Sequence, residues 1–423
     1  MDRTPISRRQ AQTVGPHTEQ ELLAFQQALD DIRAWVLAQL GQDDARYVKT
    51  LLWLARGLAT LGRGCLVVGA WFWPTWWLGV LALTLSHLIE TMELGHNLMH
   101  GQFNWMNDRR FSGKDFRWGF ACEPEDWRHF HNLTHHHYAN VLGRDRDYGS
   151  LRWSAEKPWR PANLWQPLMA LVSAVSFEWG VAVHNLQLER RRSDPEGFAA
   201  RARTLWPRTR ARMGLIARRE YLWWPLVGAS VGACVGLVAA MAGQVWGASS
   251  PASMAWSAVA AGAWHGGSAV LMGNALASVA RSVWGFFIIA CGHFTAEAHM
   301  FDEADLVGET KAQWYLRQAL SAANFKAGWC LQVLSGHASH QIEHHLYPDL
   351  PSNRLAQIAP RVEAVCRRHG VPYNTGSLSR QVWTVVQRIV RHSFPGGWET
   401  LTRLPRARKL AQEITPEPCK RAA

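Results

Sequence analysis

Residues 222–280 read LWWPLVGASVGACVGLVAAMAGQVWGASSPASMAWSAVAAGAWHGGSAVLMGNALASVA and contain no Asp, Glu, Lys or Arg. About 20 predominantly apolar residues cross the hydrocarbon core of a bilayer as one helix, so this stretch holds two spans. Gly247–Pro251 supplies a charge-free turn between them. We place these spans at about 222–246 and 266–290, the second beginning near Met254 or near Ser268. Upstream, two apolar runs flank Pro74 and place another pair at about 52–73 and 75–95. Trp71, Phe72, Trp73, Trp76 and Trp77 cluster at that bend, where an interfacial aromatic belt belongs. Arg63 lies deep in the first of these spans and needs a polar partner or a route to the interface.

Working outward, residues 162–183 are the ambiguous stretch. Only Leu168 to Phe177 is cleanly apolar, Glu178 follows, and ten arginines lie between Arg190 and Arg219. A crossing here would put that block opposite the other basic loops, so an in-plane interfacial helix is expected. The expected fold is all-α and integral to the membrane, with four transmembrane helices in two hairpins and a cytosolic helical cap. Residues 1–50 form a cytosolic N-terminal region, without order up to residue 17 and then an amphipathic packing helix from Thr18 to about Leu40. Residues 51–395 form the membrane domain and 396–423 a loose tail. An even number of crossings keeps both termini on the cytosolic side.

The mean hydropathy of −0.17 averages very apolar and very basic segments. The net charge of +12 beside apolar spans suits anionic lipid headgroups better than nucleic acid. The seven cysteines form no CxxC pair, which argues against a disulfide framework or a zinc knuckle. No cleaved signal peptide is evident in MDRTPISRRQ.

The chemistry lies in the histidines, 19 in all. His96 and His100 are four apart, as are His131 and His135 with His136 beside them, and His340, Gln341, His344 and His345 form a third group. On an α-helix residues four apart share a face, and neutral imidazole is a ligand for iron, copper, zinc and nickel. Together with the isolated His293 these exceed what one tetrahedral zinc takes. Two five- or six-coordinate metals would use them, and iron is favoured because no soft Met or Cys ligand accompanies the groups. Glu93, His137, Asp145 and Asp147 are candidates to orient ligand imidazoles through their free ring N–H. His87 and Glu90 are read as interior polar groups of the second span.

GHNLMHGQFNWMND (95–108), HNLTHHHYANVLGRDRDYG (131–149), CGHF (291–294) and HQIEHHLYPDLPSNR (340–354) resemble the histidine boxes of the membrane fatty acid desaturase family. The likeness is to bacterial and front-end acyl desaturases, whose third box begins with Gln. The resemblance implies a cap carrying a centre of two ferrous ions, and an enzyme that uses O₂ and two electrons to introduce a C=C bond into an acyl chain. Carried over residue by residue, the ligands are His96, His100, His131, His135, His136, His293, His344 and His345, with His340 and Gln341 competing for the remaining place. The acyl group would be a CoA, carrier-protein or phospholipid ester. The His-Pro-Gly-Gly string of a fused cytochrome b5 is absent, so a separate electron donor such as a ferredoxin, or cytochrome b5 with its reductase, is implied. The alternatives are a lipid hydroxylase or other oxygenase on the same scaffold, or a non-enzymatic membrane metal-binding protein. A transporter should carry ligands near the bilayer midplane, and 222–280 offers only His265.

Overall fold

The computed structural model describes residues 14, 15, 17–147, 149, 151–245 and 252–396. The Gly247–Pro251 turn, most of 1–17 and nearly all of the expected tail lie outside these residues. Four helices are long and apolar enough to cross a membrane: Gln42–Val68, Trp73–Met99, Pro195–Ala242 and Ala255–His293. They run well past the spans expected from apolarity alone. The first begins at Gln42 rather than near 52, because Asp44, Val48 and Leu51 are buried against the rest of the protein.

Helices α2 (Gln42–Val68) and α3 (Trp73–Leu88) meet through small residues. A Cβ at Gly62 would stand 2.9 Å from the Leu83 nitrogen and 3.1 Å from the Gly79 oxygen. Glycine zippers of this kind let helix backbones touch where lipid offers no hydrophobic drive to association. The pair α7 (Trp224–Val245) and α8 (Ala252–His293) uses the same device, with Gly228 against Gly266, Gly232 against Gly262 and Gly236 against Ala258. Trp71, Phe72, Trp73 and Trp77 are exposed at the α2–α3 bend, as an aromatic belt requires.

The ambiguous stretch is two helices, α4 (Gln166–Val175) and α5 (Phe177–His184), bent by 92° at Ser176. The Ser176 hydroxyl donates back to the Val172 carbonyl at 2.6 Å, competing with helix continuation at the bend. Leu168, Leu171, Val172 and Val175 on α4 are exposed. Following them, α6 (Pro195–Arg218) carries the arginine block and passes through a π-helical segment, Arg219–Trp223, into α7.

Charges between the helices are paired. Arg63 reaches Glu220 and the Asn274 amide oxygen. Arg281 pairs with Glu178, which also accepts from Ser278 at 2.7 Å, and the two ionic side chains are 4% and 1% exposed.

The cap is built on α1 (Glu19–Leu37), whose start is closed by a Thr18–Glu21 capping box. Its apolar stripe, Leu22, Phe25, Leu29, Ile32 and Val36, is fully buried. The stripe joins one core with α9 (Lys311–Ser321), α10 (Gln341–Leu346) and α11 (Ser352–Arg368). The N-terminal helix is therefore central to the cap. His17, expected to be without order, is buried, with Nε2 2.9 Å from the His369 carbonyl. A departure from an all-helical fold is a parallel pair of three-residue strands, β1 (Asn324–Lys326) and β2 (Thr375–Ser377). Helix α12 (Leu378–His392) follows directly, and its Gln381 amide donates to the Asn324 carbonyl at 2.9 Å. Arg354 clamps Asp44, tying the cap to α2.

Removing one member of a buried ion pair strands the other. Arg281→Met is expected to destabilise the protein by ~3–5 kcal/mol, while the double variant with Glu178→Met recovers most of that loss. Thermal unfolding in detergent, compared across the three proteins, checks the coupling.

Candidate metal centre

Two of the histidine boxes sit where the helix loosens. Helix α3 continues through a π-helical segment, Ile89–Gly95, before the short turn His96–Met99. The second box follows Pro124–Arg128 and is itself π-helical over His129–His135. Such i→i+5 turns are rare and concentrate at functional sites. Their effect is a correction to simple α-periodicity. In the second box the His136 N–H bonds to the His131 carbonyl, so His131 and His136 share a face and their Nε2 atoms lie 3.3 Å apart. The His135 ring stacks beside that of His131 at 5.0 Å and 26°, and their ligand atoms also group with that of Asp147 within 4.8 Å.

The outcome is two adjoining clusters. His96, His100, His131, His136 and His344 form one, and His135, His293 and His345 the other, each with its ligand atoms within 4.8 Å of one another. Within them Nε2 faces Nε2, at 3.1 Å for His96 and His131 and 3.1 Å for His293 and His345. The His136 ring stacks on that of His345 at 4.4 Å and 15°, so the clusters touch. Burial holds His100, His131, His136, His344 and His345 well below the usual imidazole range, with neighbouring rings reinforcing it. The rings are neutral lone-pair donors, and the buried Nε2 atoms of His100 and His344 have no hydrogen-bond partner.

His135 differs. Its Nδ1 lies 3.2 Å from both Asp145 oxygens and 3.2 Å from Asp147 Oδ2. Burial alone would lower it, but the Asp147 and Asp145 carboxylates prevail and raise it to about 9. Carboxylates placed behind a histidine in this way fix the ring and leave Nε2 pointing forward.

A sequence model of the fatty acid desaturase family matches residues 71–377. The chain belongs to the fatty acid desaturase family. It is 37% identical over 372 residues, 87% of its length and 79% of the relative's, to an NADPH-dependent stearoyl-CoA 9-desaturase of Mycobacterium tuberculosis. Shorter matches are to an acyl-lipid 8-desaturase of Rebecca salina, 43% identical over 60 residues (14% of each chain). Another is to fatty acid desaturase 3 of Bos taurus, 31% identical over 96 residues, 22% of this chain and 20% of that one. No solved structure matches. The protein is an acyl desaturase, an oxidoreductase of lipid metabolism carried on candidate membrane spans.

In this desaturase the two candidates of the third box, His340 and Gln341, stand in different places. The Gln341 amide lies 3.0 Å from His293 Nε2, and its Oε1 is buried without a partner. Gly292 allows the approach, since a Cβ there would stand 2.9 Å from Gln341 Cγ. His340 stays outside both clusters, with Nε2 3.5 Å from the Gln332 amide. The chain reaches it through His337 in the left-handed region (φ 57°) and a tight turn over Ala338–His340, which point the ring away. Glu343, between the ligand-like positions, faces outward to Asn324 and Tyr373, 2.8 and 2.7 Å away.

Among the candidate orienters, Glu93 has its hydrogen bonds with residues outside the clusters. It accepts from Tyr47 at 2.8 Å, Ser352 at 2.5 Å and His337 at 2.9 Å, fastening α2 and the cap to the π-helical turn. His137 is exposed, on the rim of a surface pocket with Tyr138, Lys311 and Trp314. Sequence reasoning passed over Asn140, whose amide donates to the carbonyls of His293, His299 and Ser321 at 2.9–3.0 Å while its N–H binds Asp145 at 2.8 Å. It also passed over Trp127, stacked on His131 at 4.2 Å and 18°. Neither residue type carries a signal in spacing alone.

Gln341→Ala is expected to lower the metal content of the purified protein, and His340→Ala to leave it unchanged. Elemental analysis of both variants at matched protein concentration checks this.

Proposed function

We propose that this desaturase holds two ferrous ions, one by His96, His100, His131, His136 and His344 and one by His135, His293, His345 and Gln341. The observation that carries the proposal is the convergence of forward-facing Nε2 atoms in two adjoining clusters, one buried and the other half-buried to buried. The donor set fits iron, since it is all nitrogen with one amide oxygen and contains no cysteine. Iron, when bound, supplies the oxygen activation that lets an unactivated methylene lose hydrogen, which acid–base side chains cannot do.

The chain's own residues do the rest. The imidazoles hold the centre, Asp145 and Asp147 keep the His135 Nδ1–H directed backward, and Trp127 and Trp118 pack aromatic surface against the His131 side. We take the substrate to be a long-chain saturated acyl-CoA, with carbon 9 as the position attacked, on the support of the mycobacterial relative's name. That name also supports NADPH as the ultimate reductant, acting through a separate electron carrier. Exposed Arg190, Arg191, Arg192, Arg203, Arg210 and Arg218 offer an acidic carrier a basic face. The same arginines support a cytosolic placement of the cap, the metal centre and both termini.

Expression in a host that supplies suitable reductase activity should add a monounsaturated fatty acid to the lipid profile. Chelator treatment of the membranes should abolish its formation and ferrous iron restore it. A hydroxylated product in gas chromatography, or an iron-loaded protein that leaves acyl chains unchanged, would sink the reading. Reduction by an acidic carrier should slow as salt rises; a rate indifferent to ionic strength removes the electrostatic docking.

A further inference from the structure

Gln318 stands behind both histidine clusters, on α9, and is fully buried. Its Nε2 donates to the His136 carbonyl at 2.9 Å, and its Oε1 lies 3.0 Å from His345 Nδ1. The orientation of this amide is determined by chemistry. A carbonyl oxygen only accepts, so the NH₂ end must face His136. The oxygen end is then left for His345, and an amide oxygen only accepts, so His345 Nδ1 must carry the proton. The lone pair of His345 is thereby forced onto Nε2, the atom 3.1 Å from His293 Nε2.

We infer that Gln318 is a positioning residue for the metal centre. It sets the tautomer and ring plane of His345 and fixes that ring to the backbone of the second box. The inference rests on the proposed two-iron reading and deepens it. The two ends of one amide engage one residue from each cluster, His136 from the first and His345 from the second. These two rings are also the stacked pair, 4.4 Å apart. The chain itself joins the clusters at His135–His136 and at His344–His345, and Gln318 adds a link between those two separate stretches of backbone.

The arrangement differs from that of His135. There two carboxylates stand behind the ring; behind His345 stands a neutral group. The amide supplies the same direction without charge. It also comes from an element that the histidine motifs do not include, so α9 is bound to the centre through function as well as packing. Arg317, its neighbour, donates to the His137 carbonyl at 2.9 Å and pairs with Glu309, holding this turn of α9 against the second box independently of Gln318. The helix therefore stays in place when the amide is changed.

The test compares Gln318→Leu with Gln318→Glu in the purified full chain, read as the rate of iron release to a chromogenic ferrous chelator and as iron per chain. Leucine has nearly the same shape and neither donor nor acceptor. A glutamate side chain at this position, protonated where it meets the His136 carbonyl, donates there and still accepts from His345 Nδ1. Outer hydrogen bonds to metal-bound histidines are worth ~10–100-fold in metal affinity. Gln318→Leu should release iron faster by a factor in that range, while Gln318→Glu stays near the unsubstituted rate. Equal behaviour of the two variants overturns the assignment, whether both keep their iron, both lose it, or both fail to fold, because only the hydrogen bonds distinguish them. The unsubstituted protein separates this from the underlying reading. If it binds no iron, the two-iron centre fails; if it binds iron and Gln318→Leu releases it no faster, only the role of Gln318 fails.

Discussion

Lone pairs of neutral imidazoles repel one another at 3 Å, and this desaturase packs eight histidines together with ring nitrogens facing at that distance. In water the conflict would be relieved by protonating some of them. Burial closes that route for His100, His131, His136, His344 and His345, and His135 escapes it only through the carboxylates behind it. A cation shared among the nitrogens would relieve the repulsion, and the clusters could hold one. The surrounding protein must hold the rings in this unfavourable register while no such cation is bound, and the placement of elements in the cap follows from that demand.

The restraint comes from three directions. The π-helical turns at the first two boxes rotate successive histidines by an unusual angle, so that His131 and His136 face one cluster while His135 faces the other. The candidate spans then run on past their apolar stretches. The helix Trp73–Met99 delivers His96 and the long α8 delivers His293, so two ligand-like positions are carried on long helices. The cap core closes over the top, with α1 packed against the helices that carry the third box. Polar fasteners at the seams, Glu93 between Tyr47, Ser352 and His337 and Arg354 on Asp44, join these bodies where apolar contact alone would let them slide.

Much of this was legible in the residues. The apolar lengths, the aromatic bend and the histidine spacings point to a membrane protein with a buried metal centre, and the resemblance led to the right family. What spacing could not supply was phase. His131 and His135 look like sole partners on an α-helix, and one extra residue per turn brings His136 onto the face of His131 while His135 stacks alongside. His340 and His344 look like partners for the same reason, and a left-handed residue at His337 undoes that. The helices outrun the apolar spans because polar side chains such as Asp44 read as exposed until their partners from distant sequence are known. The short β1–β2 pairing and the amide of Asn140 depend wholly on contacts remote in sequence, for which a single chain carries no periodic signal.

The carboxylates are distributed with a consequence of their own. Each box region contains acids, but Glu93 is occupied by three hydrogen-bond donors and Glu343 is turned toward Asn324 and Tyr373. Asp145 and Asp147 stand directly behind a clustered ring, that of His135. The closest negative charge therefore falls on the cluster of three histidines, while Glu93 acts on His96 of the cluster of five only through space. Because a carboxylate behind a histidine makes it a stronger donor, the two clusters are electronically unequal. The smaller set of nitrogens has the charge directly behind it and the larger set does not, so the asymmetry in histidine number and the asymmetry in charge oppose one another.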